Sequence, residues 1–390
     1  MRRAPFFVIA AVLACCGPAP SSAPNPVVAS PTMPASESST PTRSATPSSV
    51  PSPTAVAAVQ PSAVRFADTQ RGWLGVEDGI LGTTDAGASW HRQLTSERIV
   101  RVWSVDDRHA WALASDEVVY RSQDGEHWAA MPRTDPPIVD IDFVTALVGW
   151  AIATPPPPTP VGQPVQLVGT LLATTDGGAV WRPVTTLGLW SVCFTSERDG
   201  LGVSGKRIFR TADAGRSWTA VADLTINDHG PWYPTLVCAD GRNLRVQITE
   251  PYAALSHVPY LLFATTDAGA TWKLEASEGY TLGSTTPGGT LPLGSYPSLL
   301  GTLPSGKTWI LTCSPPADVQ DLFFLDSSGT VTRKEKAPFV ACARGATFVD
   351  DAHGWAIDTS YALVGNDLRS TGRLMRTTDG GRTWVAVYPR

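Results

Sequence analysis

Charge is scarce in this 390-residue chain: only 17% of its residues are Asp, Glu, Lys or Arg, and the formal net charge is −5. An acidic balance with a pI near 5.7 argues against nucleic-acid binding, which draws on a basic excess. Lysine is rarest, with five residues against 25 arginines, so no polybasic run exists to hold a membrane surface. No apolar stretch approaches the ~20 residues of a membrane-spanning helix. Gly-x-Ser-x-Gly, Walker, His-Glu-x-x-His and Cys-x-x-Cys motifs are all missing, and with them the common hydrolase, nucleotide, zinc-protease and dithiol sites. What is abundant is Gly (34), Pro (34) and Trp (14), against little helix-favouring Lys and Glu. With 43% hydrophobic residues the chain can bury a sizeable core, and the balance points to an all-β, turn-rich fold.

The first residues read as an address. Arg2 and Arg3 precede an apolar stretch from Phe6 to Ala14, long enough for a signal-peptide core and too short to span a bilayer. It ends in Val12-Leu13-Ala14-Cys15-Cys16, which resembles a bacterial lipobox. Cys15, preceded by Ala14, fits the acylated position better than Cys16, so residues 1–16 are expected to be a lipoprotein-type signal peptide. Residues 17–54 hold 10 Pro and 15 Ser or Thr, with Glu37 and Arg43 their sole charges. Such a segment buries too little apolar surface to offset its ordering entropy. As extended polyproline it is a tether with a reach on the order of 100 Å, at ~3.1 Å per residue.

The remainder repeats. Residues 83–90 read TTDAGASW, 174–181 TTDGGAVW, 211–218 TADAGRSW, 265–272 TTDAGATW and 377–384 TTDGGRTW. SQDGEHW at 122–128 and LDSSGTV at 325–331 are weaker copies. The aspartates are Asp85, Asp124, Asp176, Asp213, Asp267, Asp326 and Asp379. They recur at a mean step of about 49 residues, a period in the range of repeat folds. A lead-in precedes each copy, as in Phe66 to Gly72-Trp73, Phe143 to Gly149-Trp150 and Phe348 to Gly354-Trp355. Each unit reads as a short apolar strand, a polar turn, a Gly-Trp strand, a third strand into the Asp motif, and a fourth strand from its Trp. The Asp motif is turn chemistry: a short carboxylate accepts backbone N–H groups, and Gly takes a positive φ. His109 and His353, just before their Trp strands, read as turn residues too.

The consensus S/T-x-D-x-G-x-S/T-W resembles the BNR, or Asp-box, repeat. With its Gly-Trp lead-in, the unit is most similar to the photosystem II stability and assembly factor family, over about residues 62 to 390. The resemblance implies a seven-bladed β-propeller of four-stranded antiparallel blades. Seven complete units suit a closed ring that leaves only short edges. It implies architecture rather than activity, since sialidases, xyloglucanases and sortilin-type receptors also carry the box.

Four cysteines fall in the repeats, and three pairings are open to them. Cys193 and Cys238 occupy similar places in adjacent units, and Cys313 and Cys342 flank the start of unit seven, so 193–238 and 313–342 are the pairs we expect. Antiparallel connectivity puts the Asp turns on one face and the insertions on the other. These are 154–166, 224–235, 249–260, 275–298, 314–320 and 359–372. They carry Trp232, Tyr233, Tyr252, His257, Tyr260, Tyr280, Tyr296 and Tyr361, candidate anchors for a ligand.

A sialidase-like or other Asp-box glycoside hydrolase is the enzymatic alternative. Resemblance to sialidases implies an Arg-Ile-Pro motif, an Arg cluster and a Tyr–Glu pair; Arg-Ile-Pro does not occur, and the loop carboxylates Glu250, Glu275, Glu278, Asp318 and Asp367 are scattered. The expectation is therefore a non-enzymatic, monomeric binding or scaffold protein on the outer face of the cell membrane. Its partner is a protein or glycan, and it uses neither cofactor nor metal. It touches the membrane only through its lipid, and it assists photosystem assembly if the host is photosynthetic. Replacing Cys15 and Cys16 together by Ala is expected to abolish fatty-acid labelling and shift the protein from the detergent to the aqueous phase on partitioning.

Overall fold

The computed structural model describes residues 59–154, 169–224, 233–238, 242–249, 258–278, 291–293, 296–313, 320–339, 342–364 and 367–389. The signal segment, Cys15, the tether and most of the inserted loops lie outside these residues. Among the described residues, 28 strands form seven antiparallel sheets of four, each built from consecutive strands. The blades cover 61–95, 99–130, 138–183, 191–223, 233–278, 296–337 and 346–388. They form a seven-bladed propeller in which blade 1 packs against blade 7 and no strand is shared between them. One insertion differs from expectation. Residues 359–364 and 367–372 are strand: they continue the second and third strands of blade 7, Gly354–Val364 paired with Asp367–Thr377.

The repeated Phe and Gly-Trp residues build the seams. On the inner strand, Phe66, Phe143, Phe194 and Phe348 pair with Gly72, Gly149, Gly200 and Gly354. Each ring lies so close over its glycine that a Cβ there would come within 2.2–2.6 Å of it, which is why this position is Gly. The other face of the ring meets the Trp of the preceding blade. Phe66 stacks on Trp355 at 3.6 Å, Phe143 on Trp111 at 3.7 Å and Phe194 on Trp150 at 3.4 Å, while Phe348 lies tilted at 5.2 Å from Trp309. The Trp that ends the blade's own Asp motif then closes edge-on, as Trp90, Trp181, Trp218 and Trp384 do. Such pairs add about 0.5–1.5 kcal/mol each beyond the area they bury.

The seams are also hydrogen-bonded in one direction. The indole N–H groups of Trp73, Trp111, Trp150 and Trp355 donate to Gly125, Gly177, Ala214 and Ala86, carbonyls in the Asp turn of the next blade. Where blade 5 lacks this Trp, Arg245 takes its place. It forms a two-pronged pair with Glu275 at 2.8 and 3.1 Å and also donates to Thr308 of blade 6. The two charged side chains are 5% and 8% exposed, so neither can be left alone without a buried, unpaired charge. We expect Arg245→Met to cost about 3–5 kcal/mol in chemical denaturation, and Arg245→Met with Glu275→Met to recover most of that loss.

Two sets of carboxylates respond to pH in opposite senses. Asp142 on the inner strand of blade 3 accepts the Phe194 N–H of blade 4 at 2.7 Å. Burial, reinforced by Asp140, pushes its carboxyl up to about 7 from an ordinary 3.8. A folded pKa above the unfolded one means stability that is full below pH 3.8 and lost as pH rises through about 7. In the Asp turns the sign reverses. The hydroxyls of Ser217, Thr271 and Thr383 and the backbone N–H groups beside them hold Asp213, Asp267 and Asp379 down at about 2. That contribution is present above the unfolded value near 3.8 and lost as pH falls through about 2. Asp142→Asn is therefore expected to raise Tm at pH 8, with the gain vanishing toward pH 4. Asp379→Asn is expected to lower Tm at pH 7, with the loss closing as the medium is acidified past pH 3.

Candidate functional site

The two faces of the ring carry different chemistry. One gathers the first turn of each blade and the Asp turns. There Asp85 accepts the Thr83 hydroxyl at 2.8 Å, the Ser89 N–H at 2.8 Å and the Ser89 hydroxyl at 2.6 Å. The Thr83 oxygen in turn accepts the Gly87 N–H at 3.0 Å. The same set recurs at Asp213, Asp267 and Asp379, and without the second hydroxyl at Asp176. Asp124 holds the Glu126 and His127 N–H groups, and Asp326 those of Ser328 and Thr330. All seven carboxylates are committed to their own turns. His109 and His353 are likewise held, through Nδ1 to Asp106 and Asp350. This face is a set of locked corners.

The Asp turns come in two forms, and the structure explains which occurs where. After Asp, two successive residues take a positive φ, as Ala86 (62°) and Gly87 (89°) do. Ala serves at the first of these in three turns, but Gly177 and Gly380 replace it in two. A Cβ at Gly177 would come within 2.3 Å of the Arg121 guanidinium from blade 2, and one at Gly380 within 2.4 Å of Arg333 from blade 6. Arg121 donates to the Asp176 and Ala146 carbonyls and Arg333 to that of Asp351, so the glycine makes room for a cation that caps the neighbouring turn.

The opposite face, where inner strands begin, carries aromatic side chains on three consecutive blades. Trp190 stands immediately before the inner strand of blade 4, Tyr233 opens that of blade 5 and Tyr296 that of blade 6. All three are partly exposed. The Trp190 and Tyr233 rings meet edge to face at 5.3 Å and 76°. The strands beneath are tied across the seams. Ser191 Oγ accepts the Leu236 N–H at 3.1 Å, and the Gln247 amide exchanges two hydrogen bonds with the Ser298 backbone, each 3.2 Å. Disulfides join Cys193 to Cys238 between blades 4 and 5, and Cys313 of blade 6 to Cys342.

Of the residues singled out from the sequence, Tyr233 and Tyr296 lie on this surface. Tyr260 does not: it is 1% exposed and packs in the core of blades 5 and 6 beside Leu262 and Ile310, because it opens a third strand whose side chain turns inward. Tyr361 falls in the long hairpin of blade 7, opposite Ser370. Trp232, Tyr252, His257 and Tyr280 lie outside the described residues. Trp190 was missed, although its place directly before the apolar run Ser191–Phe194 marks it as an inner-strand start like Tyr233. Glu275, one of the scattered loop carboxylates, is held in the buried pair with Arg245. Among the described residues, no group of three His, Cys, Asp or Glu side chains is set to hold a metal.

No protein-family model matches the chain, and no curated protein matches it. Solved structures do. An ancestral GH74 enzyme is similar over 85% of this chain and 55% of its own, with 15% identity and a TM-score of 0.54. YCF48 bound to D1 peptide is similar over 74% and 81%, with 17% identity and a TM-score of 0.46. PorZ, a surface component of the type-IX secretion system of Porphyromonas gingivalis, is similar over 86% and 38%, with 10% identity and a TM-score of 0.49. The chain thus spans about half the length of the GH74 enzyme. At 15% identity, that likeness shows a shared β-propeller fold.

Proposed function

We propose that this chain is an exported, lipid-anchored propeller of the Asp-box type, related to photosystem assembly factors. In this reading it binds a protein or glycan ligand without transforming it, on the face where Trp190, Tyr233 and Tyr296 lie. The observation that carries the proposal is the edge-to-face Trp190–Tyr233 pair at the start of two neighbouring inner strands. Partly exposed aromatic rings on a rigid scaffold are good anchors, because they offer contact area at little entropic cost. The Asp-turn carboxylates and Glu275, which an Asp-box hydrolase reading would draw on first, are engaged in structural hydrogen bonds and ion pairs. Cys15 and the tether give this reading its anchor and its reach from the membrane, and the ring acts as a monomer.

The test is quantitative capture from detergent-solubilised envelope, beside a glycan array, with the native chain and a Trp190→Ala, Tyr233→Ala variant. The native chain is expected to retain a discrete partner that the variant loses about tenfold or more, in line with an aromatic hot spot. Photosystem subunits among the captured proteins would favour the assembly-factor form; surface proteins or glycans would favour a general binding module. Equal capture by both proteins, or turnover of a sialoside or xyloglucan panel by the native chain, would overturn the proposal.

A further inference from the structure

Strand register makes the seven seams comparable position by position. The inner-strand residue in the stacking position is Phe66, Ser104, Phe143, Phe194, Cys238, Thr302 and Phe348 in turn. The second-strand residue that faces the next blade is Trp73, Trp111, Trp150, Leu201, Arg245, Trp309 and Trp355. Two seams therefore have neither aromatic. Between blades 5 and 6 the buried Arg245–Glu275 pair fills the gap. Between blades 4 and 5 there is Leu201 from one side and Cys238 from the other.

That seam is filled mainly by aliphatic side chains in place of a ring stack: Leu201, Val203 and Ile208 of blade 4 pack with Leu236, Leu244, Val246 and Leu261 of blade 5. Leu201 lies over Gly269 in the next Asp turn in ordinary contact, and it has no N–H to offer the turn as Trp150 and Trp355 offer theirs; the Gly269 carbonyl accepts instead from Trp272 of its own blade at 3.1 Å. Further out, Val221–Leu224 on one side and Phe263, Ala270 and Trp272 on the other line a cleft of about 280 Å³. The seam's covalent link is the Cys193–Cys238 disulfide. Cys238 stands at the stacking Phe position, and Cys193 is the cross-strand partner of Leu201. Above the link, the same seam carries the Leu236–Ser191 hydrogen bond and the Trp190–Tyr233 ring contact.

We propose that Cys193–Cys238 is a redox clasp standing in for the missing aromatic stack, and that its oxidation assembles the Trp190–Tyr233 surface. The inference rests on the binding face described under the proposed function and assigns its regulation. With a disulfide donor as oxidant, one cysteine thiolate attacks the donor's sulfur–sulfur bond and forms a mixed disulfide. The second thiolate then displaces the donor, leaving Cys193–Cys238 bonded and the donor reduced to a dithiol that carries the two protons given up by the cysteines. In a reducing compartment blades 4 and 5 meet through this mainly aliphatic core and a few polar contacts, with no ring stack to hold the inner strands in register; after oxidation the inner strands are tied covalently directly beneath the two rings.

Hydrogen exchange on the full chain in detergent, oxidised and then treated with dithiothreitol, tests this without any ligand and so independently of the capture experiment. Reduction is expected to speed exchange at Cys193, Phe194, Leu236 and Val237 by about tenfold or more. The amides around Phe66 and Phe143 should change less than about twofold, as local opening of one seam requires. A Cys313→Ser, Cys342→Ser variant should keep this response. A Cys193→Ser, Cys238→Ser variant should exchange like the reduced chain with or without reductant. Loss of protection spread evenly over all seams, or a response that follows Cys313 and Cys342 instead, would overturn the proposal.

Discussion

The ring depends on one contact, repeated: a phenylalanine laid flat over its own blade's glycine and under the preceding blade's tryptophan. The glycine is absent from the contact in every chemical sense, and that is its role. A Cβ at Gly72, Gly149, Gly200 or Gly354 would occupy the space of the ring. The strand pair, the stack and the seam are thus a single arrangement. Truncating such a buried aromatic removes packing on both sides at once, a loss of about 3–5 kcal/mol in comparable cores. The chain's own variation supports this linkage. Where the inner-strand residue is Ser104, Cys238 or Thr302, its partner is Ala110, Leu244 or Thr308 and no glycine is needed.

Departures from the rule occur at Ser104 of blade 2 and at three successive seams from blade 4 to blade 7, and those three are each compensated by a different physics. The seam after blade 5 is held by a desolvated ion pair, the one after blade 4 by a covalent link, and the one after blade 6 by a tilted Trp309–Phe348 pair beside the second disulfide. These are also the blades whose inner strands start with Trp190, Tyr233 and Tyr296. Blades 7, 1, 2 and 3 all keep the hydrogen-bonded seam tryptophan, and the remaining part of the ring presents the aromatic surface. Such a division is usual where function requires a local break with the packing rule of a fold.

Much of this was legible in the sequence, because turn chemistry and strand pairing are local. The seven aspartates, the Gly-Trp lead-ins and the four-strand unit could be read from residue types alone, and the aspartates lie at turns of the seven sheets. What escaped was the side-chain packing decided between blades. That Arg121 dictates glycine at 177, that Arg245 stands in for a tryptophan, and that Tyr260 faces the core all follow from which neighbour a side chain meets across a seam. Periodicity along one chain segment holds no record of that. The hairpin extension within 359–372 was read as a loop for a related reason: its added length carries polar residues that strands in a core would not tolerate.

Because every blade is made from one unbroken piece of chain, side chains alone close the circle. Trp355 reaches the Ala86 carbonyl across 269 residues, and Trp90 reaches Val387 across 297. During synthesis blades 1 to 6 can dock in sequence on neighbours already made, yet one flank of blade 1 has nothing to meet. The outer side of the Phe66 ring stays wet until Trp355 of blade 7 has been made, so a nascent chain carries an adhesive surface while six blades are built. Contacts of such long separation are also the slowest to form.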